Sequence, residues 1–192
     1  MLAYVFWHRP LDASATDAYE QAHVAFHRSL AHAPPVGFAG SACYRAAGLP
    51  WIDGAAAAGY EDWYLVEDYT ALGVLNEAAV GRGHRTVHDD VARRFGAGAG
   101  GLYGLIEGRP QLDGASVVWV ARPPGSQRRA LGQLLGDGMD PRHASLWRRQ
   151  LVLGPAPEYC LLAPEPPAGV APTRLPKGWT ATSIIRERLT GQ

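Results

Sequence analysis

The chain has 192 residues, enough for one domain or two small ones, and its 47% apolar content suits a packed core. Its 18 Lys+Arg balance 18 Asp+Glu, so no broad basic field exists to hold nucleic acid or an anionic membrane. No apolar run approaches the roughly 18–20 residues that a membrane helix needs.

Lys177 is the only lysine, and the richness in Arg, Ala, Gly and Pro reads as a coding bias, not as phosphate recognition. Cys43 and Cys160 lie far apart without C-x-x-C spacing, which predicts free buried thiols and a cytoplasmic protein. Residues 1–9 lack a basic segment and a small-residue cleavage site; they read as a strand, not as a signal peptide.

Along residues 2–8, Leu2, Tyr4 and Phe6 point one way while Ala3, Val5 and Trp7 point the other. Both faces are apolar, so this strand needs cover on both sides. Pro10 turns the chain, and residues 14–17 have the S/T-x-x-D/E form of a helix start. Tyr19, Ala22, His23, Phe26 and Leu30 then predict an amphipathic helix to about Ala33, stopped by Pro34 and Pro35. Strands are predicted at 36–46 and 60–67, around a long loop at 48–59. Helical segments follow at 69–80 and 84–95. Gly81 and Gly83 separate them, since each internal glycine costs a helix about 1 kcal/mol against alanine. The glycine-rich run 96–101 is expected to end the second segment as a turn, and 102–107 to return as a strand.

This βαββαβ order is that of a ferredoxin-like unit, one antiparallel sheet with both helices on one face. After a linker at 109–114, residues 115–122 are again a strand apolar on both faces. A short helix at 126–135, strands at 145–153 and 158–163 and a Pro-rich irregular stretch at 164–178 follow. The closing segment 180–189 reads as a strand or a short helix, and Thr182, Ile184 and Ile185 incline it to strand. The expected class is therefore α+β, with a ferredoxin-like unit at 1–108 and an incomplete second one, short of a helix, at 115–192. The open sheet faces must be buried, either by packing the two half-chains together or by pairing with another chain.

His84 and His88 stand one helical turn apart on the apolar stripe of Val87, Val91 and Phe95, and are candidate catalytic residues. Such a pair holds a metal only with a third ligand from elsewhere, and no H-E-x-x-H motif is present, so no metal is assigned. His8, ending the first strand on the Tyr4 and Phe6 face, is a third candidate, because imidazole titrates near neutral pH. His23 and His27 repeat the spacing on the first helix, and the two pairs can approach if both helices cover one face. Tyr4, Phe6, His23, Trp63 and Tyr103 are candidate lining for an apolar pocket; only one face of each strand can reach a given cavity. The glycine-rich run follows a helix and precedes a strand, the reverse of a phosphate-binding loop. No G-x-S-x-G or Cys/His nucleophile arrangement stands out.

The βαββαβ order, the two-sided first strands and the doubled unit resemble the dimeric α+β barrel superfamily. The likeness is greatest from Glu61-Asp62-Trp63-Tyr64-Leu65-Val66 to Leu102-Tyr103-Gly104-Leu105. That group includes EthD-like proteins, antibiotic-biosynthesis monooxygenases, stress-responsive barrel proteins and, as fused double repeats, chlorite dismutase-like haem proteins. The resemblance implies two ferredoxin-like sheets packed face to face as a barrel, a pocket between a sheet and its helices or inside the barrel, and a homo-oligomer, expected to be a dimer. It implies three functions. One is a cofactor-independent monooxygenase or isomerase acting on a small apolar or aromatic molecule. Another is a non-catalytic or stress-related binding barrel. The third is a haem protein, for which His143, the only histidine after residue 88, is the available ligand. The residues do not decide between enzyme and binding protein, and no cofactor is assigned.

Overall fold

Strand β1 (Leu2–Pro10) buries both of its faces: Ala3, Val5 and Trp7 on one side, Leu2 and His8 on the other. The computed structural model describes residues 1–53, 59–81, 83–113, 116–127, 129–135, 140–151, 154–165, 170–171 and 174–189. After β1 come α1 (Thr16–His32), β2 (Phe38–Ala46), β3 (Gly59–Val66), α2 (Tyr69–Gly81), α3 (Arg85–Arg94) and β4 (Phe95–Gly108). The second half holds β5 (Ser116–Ala121), α4 (Arg129–Leu135), β6 (Ser145–Arg149), β7 (Tyr159–Leu162) and β8 (Thr180–Arg188). The predicted loop residues 54–58, and residues 152–153 at the end of a predicted strand, lie outside the described residues.

The eight strands close into one antiparallel barrel in the order β1-β3-β2-β8-β5-β7-β6-β4. Within each half the fourth strand lies beside the first, the first beside the third and the third beside the second. The seams are β2 with β8, from Tyr44↔Arg188 to Ala46↔Arg186, and β4 with β6, from Tyr103↔Arg149 to Gly108↔Ser145. Both seams lie within this chain. Of the two ways to bury the open faces, the chain therefore uses its own halves.

The barrel interior is filled. Trp7, Trp63, Trp119 and Trp147 are all fully buried there, with Tyr44, Tyr103, Cys160 and Ile184 around them. The rings meet edge-on, Trp7 with Trp119 at 5.2 Å and Trp63 with Trp147 at 5.7 Å between centroids, a geometry that aromatic quadrupoles favour. Outside the barrel, α4 and the stretch carrying Val170, Leu175 and Trp179 cover Val118, Val120, Leu146 and Leu161 of the second half. Helices α1, α2 and α3 cover the outer face of the first half. No helix among the described residues is long and apolar enough to cross a membrane.

Two local expectations are corrected, and the inclination of the closing segment to strand holds. The helix start is made by Asp12, whose Oδ1 accepts from the Ser14 backbone N–H at 2.8 Å to cap a 3-10 turn at Ala13–Ala15; α1 itself has no side-chain cap. The closing segment is strand. The run 96–101 is also strand, not a turn, because β1 offers it a partner, pairing His8 with Gly98 and Phe6 with Gly100. Its glycines make room for aromatic rings: a Cβ at Gly100 would lie 2.7 Å from the Tyr4 hydroxyl, and one at Gly98 3.0 Å from Cζ of Phe6. At the end of β4, Gly108 has φ +83° and would drive a Cβ into the Ala144 carbonyl at the β4–β6 seam. Gly108→Ala is expected to cost about 2 kcal/mol or more, from left-handed backbone and steric conflict together. An unchanged midpoint in urea denaturation would show that the seam relaxes at no cost.

Candidate functional site

All eight residues of β3 are buried, and two neighbouring acids on it face opposite ways. Glu61 enters the barrel, where its carboxylate accepts from the indoles of Trp7 and Trp63. Asp62 faces the helices. The register sets Phe6 and Cys43 on either side of Asp62, and His8 beside Tyr60 one pleat away. Above them α1 turns Tyr19, His23, Phe26, His27 and Leu30 down onto the sheet, as their three- and four-residue spacing requires.

The buried Asp62 carboxylate thus meets three imidazoles. Its Oδ2 lies 3.3 Å from His8 Nε2, 3.2 Å from His23 Nδ1 and 3.5 Å from His27 Nε2. The Tyr64 hydroxyl donates to the same oxygen at 3.0 Å. His8 Nδ1 bonds the Tyr19 hydroxyl at 2.7 Å, and His27 Nδ1 bonds Ser41 Oγ at 2.7 Å. The His8 and His23 rings stack at 4.4 Å. Asp62 Oδ1 and both nitrogens of His23 make no hydrogen bond among the described residues, a costly state for polar atoms sealed from water.

Burial alone would raise the Asp62 carboxyl, but the imidazoles around it outweigh burial and hold it well below the usual carboxylate range. Burial pushes the His8 imidazole down, with Asp62 offsetting only part of that. Burial, then the Asp62 charge, pushes the Tyr64 hydroxyl and the Cys43 thiol well up. The result is an ionised carboxylate beside a neutral His8, a protonated phenol and a protonated thiol.

This polar cluster is the floor of a pocket of about 700 Å³ between the sheet and α2 and α3. Tyr4, Phe6, Phe26 and Tyr64 form its aromatic side, Leu72, Leu75 and Val91 its aliphatic side, and His23 and Asp62 supply buried polar atoms. An apolar cavity with a few convergent polar groups is the usual form of a small-molecule site.

The histidines and aromatics singled out in the sequence divide between places. Tyr4, Phe6, His23 and His88 line the pocket. His8 stands behind it on Asp62. His88 is half-buried, with Nδ1 3.4 Å from Asp89 Oδ1 and its ring edge-on to Phe26. His84 is elsewhere: at the N-cap of α3 it takes Ser29 Oγ at Nδ1, 2.7 Å, and donates from Nε2 to the Ala33 carbonyl, 3.1 Å, tying α3 to the end of α1. Trp63 and Tyr103 face the filled barrel, on the other side of the sheet from the pocket. His143 is exposed on a turn after Asp140. Both cysteines are free and buried, Cys43 beside Asp62 and Cys160 inside the barrel.

No family model and no curated protein matches this sequence. Solved structures do. A "Putative monooxygenase" from Fusobacterium nucleatum subsp. nucleatum superposes over 98% of this chain and 92% of its own, with TM-score 0.63 and 9% identity. A "putative monooxygenase" from Lactobacillus acidophilus does so over 98% and 96%, with TM-score 0.51 and 8% identity. An "anthrone oxidase-like protein" covers 97% of this chain and 91% of its own, with TM-score 0.50 and 12% identity. The fold is shared, and identities this low speak for the fold alone.

Among the members of the cluster, Asp62, Tyr19 and Cys43 were not raised as site residues from sequence, and His27 was raised only for its spacing to His23. The signal for Asp62 was present: an acid in a strand apolar on both faces must find a buried partner.

Proposed function

We propose that the chain binds a small, largely apolar aromatic molecule in the pocket under α2 and α3 and removes a proton from it through His23. The observation that carries this is the His23 ring: Asp62 stands 3.2 Å from Nδ1, while Nε2 has no hydrogen-bond partner in a polar floor that opens to the cavity. A carboxylate this close to one nitrogen supports the positive charge that the imidazole gains as a base. A phenol or an acidic C–H next to a carbonyl loses its proton to Nε2 and leaves a delocalised anion that the aromatic walls accommodate. In the monooxygenase form of the reading, that anion passes electrons to O2; one oxygen stays on carbon and the other leaves as water. In the isomerase form the proton returns at another carbon. The names of the similar structures favour the first form. We also read β1–β4 and β5–β8 as two ferredoxin-like units fused in one chain; with both seams closed internally, this reading needs no second copy to build the site.

Anthrone is a suitable first probe. Oxygen uptake and quinone formation are expected in the parent protein and absent in His23→Gln, with anthrone binding retained within about threefold, as for loss of a group acting only in the reaction. Ala79→Trp, on the pocket wall, is expected to weaken binding at least about tenfold by filling the cavity. Turnover surviving in His23→Gln, or binding unaffected by Ala79→Trp, would sink the reading in favour of a different base or a different site.

A further inference from the structure

We propose that His8, His23, Asp62 and Cys43 form a binding site for one divalent transition-metal ion, with zinc(II) the best match to the donors. One donor atom from each of these four buried residues lies within 4.8 Å of every other. A tetrahedral zinc site with bonds of about 2.0–2.3 Å has edges of about 3.3–3.8 Å. The His8 Nε2 to Asp62 and His23 Nδ1 to Asp62 separations, 3.3 and 3.2 Å, stand at or just below the short end of that range.

At those separations the nitrogens lie in contact with the carboxylate without the alignment of an ordinary hydrogen bond. Neither nitrogen makes one, although each is within reach of a carboxylate. The outer contacts are those of a metal site too. His8 is held at its other nitrogen by the Tyr19 hydroxyl, and Asp62 by the Tyr64 hydroxyl; such partners orient ligands and set the tautomer. The register brings three of the four donors from adjacent strands and α1 drops the fourth onto them.

Charge supports the same ion. One carboxylate, one thiolate and two neutral imidazoles around a divalent cation sum to zero, the state that burial favours. Two nitrogens, an oxygen and a sulfur form a mixed set that suits zinc above magnesium or calcium. Cys43 ligates as the thiolate, so binding releases its proton and tightens as pH rises. The ion enters by the pocket, which His23 and Asp62 line.

The site shares His23 with the proton transfer proposed above but stands without it. An imidazole that gives Nδ1 to a metal carries its proton on Nε2 and is then a donor, not a base. Loading is therefore expected to switch the proton transfer off.

The test is titration of chelator-stripped full-length protein with Co2+, followed by displacement with Zn2+. Expected are one equivalent bound, the intense visible bands of tetrahedral cobalt, a near-ultraviolet thiolate band, proton release, and loss of both bands on adding Zn2+. Cys43→Ser should lose the thiolate band. Asp62→Asn and His23→Gln should bind at least about tenfold more weakly, and His143→Ala, on the exposed turn, as the parent does. A featureless or six-coordinate cobalt spectrum overturns the proposal, as does full-strength binding in folded Asp62→Asn. If the ligand variants do not fold, the parent spectrum decides by itself. Co2+ binding of this kind with no anthrone turnover in stripped protein leaves the metal site standing and removes the proton-transfer reading; turnover without Co2+ binding does the reverse.

Discussion

Glu61→Ala is expected to cost the barrel about 3–5 kcal/mol, the range for removing one partner of a buried ion pair. Measured against a typical total of about 5–15 kcal/mol, this brings the chain near unfolding at room temperature. Glu61 is fully buried; its Oε1 accepts from Arg186 at 2.8 Å and from Trp63 Nε1 at 2.7 Å, and its Oε2 from Trp7 Nε1 at 2.9 Å. The Arg186 guanidinium also lies 3.8 Å over the Tyr44 ring. One truncation therefore removes the carboxylate facing a buried cation and the acceptor of two indoles. The charge pair itself is a different matter, because both ions lose hydration on burial. The double variant Glu61→Leu with Arg186→Met is expected to recover most of the loss. Urea denaturation of the parent, the single and the double variant checks both statements. A Glu61→Ala midpoint equal to the parent's would mean that the interior repacks or admits water.

The second large effect is loss of stability in acid, in two steps. His8 has its pKa lowered by burial. Above about pH 6.5, the ordinary histidine value, it is neutral folded and unfolded, and no penalty exists. As pH falls below that, the unfolded chain takes up a proton that the folded one refuses, so stability declines. Asp62 titrates well below an ordinary carboxyl, burial being outweighed by the imidazoles facing it. Its contribution is complete above about pH 4, the unfolded value, and is lost as pH falls through the lower folded value. Urea midpoints from pH 8 to pH 3 should therefore fall first through the histidine range and again in the carboxylate range. His8→Gln should remove the first step. Asp62→Asn should remove the second and lower stability at neutral pH by about 1–3 kcal/mol, because Tyr64 loses a charged acceptor and the imidazoles lose the charge that faces them. A parent profile flat from pH 7.5 to 5 would contradict the role given to His8.

Much of the site was legible along the chain. The alternation in β1 set Tyr4, Phe6 and His8 on one face and Trp7 on the other, and the helical spacing in α1 put His23 on its buried stripe. The same alternation applied to β3 groups Asp62 with Tyr64 and Glu61 with Trp63, so the two buried acids were within reach of the same reasoning. Periodicity did not distinguish His84 from His88. Both lie on one stripe, but His84 is the N-cap and meets the end of α1, whereas His88 one turn later meets the cavity. Nor did alternation tell which face of the sheet is filled. Trp63 and Tyr103 belong to the packed side because four tryptophans from both halves converge there. The glycine run was misread since a local rule, that glycines end helices, lost to pairing with β1.

What the sequence determined by itself was local and periodic: which stretches form strands and helices, and that the strands opening each half are apolar on both faces and require double cover. Those properties follow from spacing, and spacing is written in the chain. What only the tertiary structure decided was convergence. β1, β2, β3 and α1 each bring one or two polar side chains to Asp62, and residues up to 54 positions apart (8 and 62) meet within hydrogen-bonding range. That meeting depends on register and on the seating of α1 across the sheet, which are set by packing of the whole barrel and not by any one segment.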